Sequence, residues 1–72
     1  MSEVIRVDPE ILGGTPCFAG TRVPVVSLFD ALKHGRSIEY FLEDFPSVTR
    51  EQVETLLDEA KAKTIPPVKV AL

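Results

Sequence analysis

"SIEYFLEDFPSVTREQVETLLDEA", residues 37–60, carries two helical signals separated by a stop, and that pattern decides the fold. Ser37 suits an N-cap, because its hydroxyl can accept from a first-turn N–H that has no intrahelical partner. Ile38, Phe41, Leu42 and Phe45 follow at helical spacing on one face. Pro46 ends the run, since it lacks an N–H and its ring clashes with the preceding turn. A second start comes at once. Thr49 is the cap, Gln52 is its capping-box partner, and Val48 faces Val53 as a hydrophobic staple. The buried face expected of this helix is Val53, Leu56, Leu57 and Ala60. Only "PSV", residues 46–48, separates the two, which permits a helix-turn-helix.

Upstream, "PVVSLFDALKHG", residues 24–35, reads as a first helix launched by Pro24, with Val25, Leu28, Phe29 and Leu32 inward. Gly35 suits the residue after its C-cap, and Lys33 and His34 stand where the helix dipole favours cations. "VIRV", residues 4–7, is a short β-type run. Asp8, Pro9 and Glu10 read as a helical start with Asp8 capping, ended within about one turn by Gly13 and Gly14, which permit positive φ. Residues 15–18 are expected to be extended, because Thr15 precedes a proline. A hairpin should close at Ala19-Gly20 through a type I turn and G1 bulge, with Thr21, Arg22 and Val23 returning. The fold class expected is mainly α: a short N-terminal β-hairpin, then three helices of helix-turn-helix type. Residues 1–63 make one domain. Residues 64–72, "TIPPVKVAL", form an extended tail, because Pro66 and Pro67 cannot continue a helix.

Seventy-two residues bury a marginal core. Such cores are helped by disulfides, metals or a partner. A single cysteine forms no internal disulfide, and one His with one Cys is too few for structural zinc, so a partner is the expected support. No cofactor is expected. "MSEVIRVDPE" shows no apolar leader, and no apolar run approaches the roughly 20 residues of a membrane span. With the unpaired cysteine, the cytoplasm is the expected compartment.

The net charge of −3 is unevenly spread. Residues 37–60 carry seven acids (Glu39, Glu43, Asp44, Glu51, Glu54, Asp58, Glu59) against Arg50, whereas residues 61–72 carry Lys61, Lys63 and Lys69 with no acid. This bears on the choice of partner.

Chemistry is sparse. Gly13, Gly14 and Gly20 match neither the G-x-G-x-x-G fingerprint nor a P-loop, so they read as turns and no phosphate site is expected. Cys17 reads as a small buried hydrophobe, for a nucleophile needs a base, and His34 has no third residue to orient it. Glu43 and Asp44 are adjacent and point in different directions around their helix. No triad, dyad or metal set supports an enzyme.

Binding readings remain. Helix-turn-helix proteins read the major groove with the second helix of the pair, and Arg50 lies on that helix while Arg36 precedes the first. The exposed side of the second helix is net negative, however, and phosphate contacts supply most DNA affinity. Arg6, Arg22, Arg36 and the tail lysines are available to a dimer or a larger assembly. In the tail, Val68, Val70 and Leu72 alternate with Lys69 between them, the pattern of a strand that completes a partner's sheet or fills its groove. A frayed terminus is the alternative.

The strings "VDPEILGGTPCFAGTRVPV" and "LKHGRSIEYFLEDFPSVTREQVETLLDEA" resemble domain of unknown function family 433. The matching positions include Asp8, Pro9, Ile11, Gly13, Gly14, Pro16, Gly20, Thr21, Arg22, Pro24, Val25, Phe45, Pro46, Thr49, Glu51 and Val53. The resemblance implies a homeodomain-like helix-turn-helix. It also implies an antitoxin of a type II toxin–antitoxin system, similar to VapB-type antitoxins, that neutralises a PIN-like ribonuclease toxin. Such nucleases hold a divalent metal with clustered carboxylates, which an antitoxin can cover or meet with a cation. Arg22 and Lys69 are the candidate cations, with Val68 and Val70 beside the latter. The expected partners are the toxin, a second copy in a homodimer, and operator DNA bound in complex through Arg36 and Arg50. A helix-turn-helix transcriptional regulator without a toxin is the alternative.

Overall fold

The computed structural model describes residues 3–66. Its elements run β1 (Ile5–Arg6), a single 3-10 turn (Leu12–Gly14), β2 (Cys17–Phe18), α1 (Val26–Lys33), α2 (Ile38–Asp44) and α3 (Arg50–Thr64). The chain is mainly helical, with a two-stranded antiparallel β element at its N-terminal end.

The helices begin and end where local chemistry dictates. Ser37 Oγ accepts from the Tyr40 amide at the start of α2. Thr49 and Gln52 close the full capping box of α3: the Gln52 amide donates to Thr49 Oγ1, and the Thr49 amide donates to Gln52 Oε1. α1 ends in a Schellman motif. The Gly35 amide donates to Leu32 O and the Arg36 amide to Ala31 O, with Gly35 at φ 80°. His34 adds its ring, whose Nδ1 donates to the Asp30 carbonyl at 2.7 Å.

The core lies between the β element and the three helices. Phe18, Leu28, Phe41 and Val53 are fully buried, joined by Val4, Val23, Val48 and Leu56. Phe41 connects its halves, packing tilted against Phe18 at 6.0 Å between centroids and against Phe45 at 4.9 Å. Of the face expected for α3, Val53 and Leu56 are buried while Leu57 and Ala60 are only half covered. Phe29, expected inward on α1, is 39% exposed.

The β element contains the expected hairpin and adds a pairing to it. The sheet joins Ile5 to Phe18 and Arg6 to Cys17. The return arm after the turn pairs with β2 around the Cys17–Pro24 bridge, where the Phe18 amide donates to Val23 O and the Val25 amide to Pro16 O. The reversal itself is a four-residue turn, with the Thr21 amide donating to Phe18 O and Gly20 third at φ 77°. Positive φ at the third position belongs to a type II turn rather than the type I turn and bulge expected. Asp8 also departs from expectation. Its carboxylate accepts from the Glu10 amide and its carbonyl from the Ile11 amide, which makes an isolated turn and not a helix start. Leu12 follows at φ 51°, a left-handed conformation costly for a side-chain-bearing residue.

Candidate partner-binding surface

The β corner brings two arginines, Arg6 and Arg22, to one cleft. Directly opposed residues of an antiparallel pair share a face, and neighbours along a strand alternate. Ile5 and Phe18 therefore share the core face, and Arg6 and Cys17 share the other. Pro24, bridged to Cys17, brings the preceding residues alongside. The outcome is a shallow cleft of about 490 Å³ lined by Arg6, Ile11, Cys17, Thr21, Arg22 and Ser47.

Both guanidinium groups are exposed, and neither has a hydrogen-bond or ion-pair partner among the described residues. The turn that carries Arg22 is held firmly. Thr21 Oγ1 donates to Phe18 O at 2.8 Å and accepts from the Val23 amide at 3.0 Å. Gln52 Nε2 on α3 donates to Ala19 O in the same turn. Arg22 thus projects from a corner braced by its own hydroxyl and by a helix. Beneath it Cys17 is 2% exposed, with Sγ donating to Thr15 O, as befits a packing residue.

Across the ridge of Gly20, Thr21 and Ser47 lies a second hollow, about 600 Å³, edged by Glu3, Glu51 and Glu59. Two clefts of opposite sign therefore adjoin. Among the described residues no group of three His, Cys, Asp or Glu side chains is placed to hold a metal ion.

The remaining candidates are dispersed. Arg50 donates through Nη2 to Glu39 Oε1 at 2.8 Å, and its Nη1 lies 3.8 Å from Glu54 Oε2, so its charge is shared with two carboxylates. Arg36 lies over the Tyr40 ring at 4.9 Å from the centroid. Val68, Lys69 and Val70 lie outside the described residues. Arg6 is the cleft residue that sequence reasoning left among the general cations and did not assign to the site of Arg22. They are distant in the chain, and the local signal was a single charge within the otherwise apolar run of residues 4–7.

No helix among the described residues is long and apolar enough to cross a membrane. A protein of Sinorhizobium fredii (strain NBRC 101917 / NGR234), described as uncharacterized protein y4eO, is 43% identical over 51 residues, which make up 71% of this chain. The chain spans 23% of that relative's own length. No solved structure matches the chain. The model of the family described as protein of unknown function (DUF433) matches residues 5–60, the β corner and all but the end of α3, and the chain belongs to that family.

Proposed function

We propose that this chain is an antitoxin: a non-enzymatic, cytoplasmic binding module that neutralises a PIN-like ribonuclease and represses its own operon as part of that complex. The observation that carries the reading is the pair Arg6 and Arg22, two guanidinium groups without a partner among the described residues, on one braced cleft of a protein whose net charge is −3. A guanidinium fork fits carboxylates bidentately, and such charge-assisted bonds are the stronger kind. A nuclease whose carboxylates hold a divalent metal offers that ligand, and an arginine seated there displaces or excludes the metal. The adjoining acidic hollow narrows the partner further. An extended polyanion laid across the ridge would meet Glu3, Glu51 and Glu59, whereas a protein surface can bring a localised acidic centre with basic residues beside it.

Expression of the neighbouring reading frame alone and with this chain tests the proposal. Growth arrest should be rescued by the wild-type chain and not by Arg22→Glu, with circular dichroism showing that the variant stays folded. Rescue by Arg22→Glu and by Lys69→Glu at the wild-type level would remove both cation assignments. Absence of rescue by the wild-type chain would sink the antitoxin reading and leave the regulator.

A further inference from the structure

A groove between α1 and α3 has no part in the β-corner cleft. It encloses about 480 Å³ and is lined by Ile5, Val25, Phe29, Leu56 and Ala60, with Glu59 and Lys63 on its α3 side. Phe29 is 39% exposed and Val26 beside it 54%. The last buried residue of α3 is Leu56, yet the helix continues two more turns to Thr64. Helical stability in proteins comes mostly from packing an apolar face, and those turns receive little of it from the described residues.

We propose that a second copy of this chain fills the groove, with the C-terminal halves of two α3 helices packed antiparallel about a two-fold axis. Charge complementarity argues for this occupant. Glu59 and Lys63 lie one turn apart on the same helix and both border the groove. A two-fold axis reverses their order, so Glu59 of each copy opposes Lys63 of the other, and the pattern complements itself. Ala60 and Ala62 both border the groove, so neither puts a long side chain in a partner's way there. Phe29 supplies each copy with an aromatic anchor at the seam, the kind of side chain that dominates association energy. The surface is separate from the Arg6–Arg22 cleft, so a dimer formed here leaves two such clefts free.

Sedimentation equilibrium on the full chain tests the proposal. The wild type is expected to be dimeric. Phe29→Asp, and independently Ala62→Arg at an exposed position, should each raise the dimer dissociation constant about tenfold or more while the far-UV spectrum stays helical. Glu59→Lys and Lys63→Glu should each weaken the dimer, and the doubly reversed chain should regain it. A wild type that is monomeric at every concentration overturns the proposal, whether residues 67–72 or another protein occupies the groove. A dimer indifferent to both Phe29→Asp and Ala62→Arg overturns it equally.

Discussion

Arg50 Nη2 stands 2.8 Å from Glu39 Oε1, and this one contact joins the first turn of α3 to the first turn of α2. Both side chains are about half exposed or more, so the pair is screened and its contribution is small. Glu39 is nevertheless perturbed. A backbone hydrogen bond at the start of α2 holds its carboxyl below the ordinary value of 4.5, and the hydrogen bond from Arg50 and its charge add to this. A carboxylate depressed in the folded state adds stability that is present above its unfolded pKa and is lost as pH falls through its folded pKa. The stability difference between wild type and Glu39→Gln should therefore shrink on acidification below 4.5, and carboxyl-carbon titration should place the Glu39 midpoint under that value. A midpoint at or above it would show that the pair does not form in solution.

Gln52 does two jobs with one amide. Its Oε1 accepts from the Thr49 amide and its Nε2 donates to Ala19 O at 3.0 Å, fastening α3 to the β turn. Glutamate serves the first role equally well, being a standard capping-box residue. It cannot serve the second, because a carboxylate has no hydrogen to donate to a carbonyl. Gln52→Glu should thus destabilise the chain by about 1 kcal/mol or more in urea unfolding near neutral pH. Thr49→Ala, which removes only the cap, should cost about 1 kcal/mol. A neutral or stabilising Gln52→Glu would mean that Ala19 finds another donor.

The Ser37 cap, the Thr49–Gln52 capping box, the helix stops and Gly35 were legible in the sequence because each depends on residues within about four positions. The β pairing was not. Arg6 meets Cys17 only after an excursion through Asp8 and the Leu12–Gly14 turn, and nothing local fixes that register. Gln52 was legible as a cap, while its bond to Ala19 spans thirty-three residues. Phe29 shows a different limit. Helical periodicity marks an apolar face without saying whether the chain's own core or a partner covers it. The convergence of Arg6 with Arg22 has the same non-local origin as the sheet, so only one of the two was recognised as a site residue.

Gly35 at φ 80° ends α1, and a Cβ built there meets nothing within 4 Å. Any penalty for Gly35→Ala is therefore conformational and not steric against neighbours. It should amount to about 1 kcal/mol, the cost of a left-handed L-residue less the entropy regained in the unfolded chain. A synthetic chain with D-alanine at this position should be at least as stable as the wild type, since its preferred φ is positive. Equal loss with both alanines would show that packing, not φ, requires the glycine.

Leu28 is fully buried at the centre of α1, and the core it belongs to is small. Leu28→Ala should cost about 2–5 kcal/mol, a large share of what so short a domain possesses. Phe29→Ala, one residue on, removes a larger side chain that is 39% exposed, and should cost much less in the monomer. Thermal melts at low and high protein concentration separate the two. Leu28→Ala should lower the midpoint at both, whereas Phe29→Ala should lower it chiefly where the wild type is dimeric.

DNA binding through α3 is the reading most directly open to measurement. Glu51, Glu54 and Asp58 are exposed on that helix, and Arg50 is shared between Glu39 and Glu54. Each phosphate neutralised by a protein cation adds about 0.9 to the salt slope of log K, so a cation already committed to carboxylates adds little. Arg50→Ala should leave both the affinity for promoter DNA and its salt slope unchanged. The isolated chain should bind no tighter than the non-specific range, about 10⁻⁴–10⁻⁶ M at physiological salt. Tight, sequence-selective binding by the isolated chain, weakened by Arg50→Ala, would show that the Glu39 contact opens on DNA and would favour the regulator over the antitoxin.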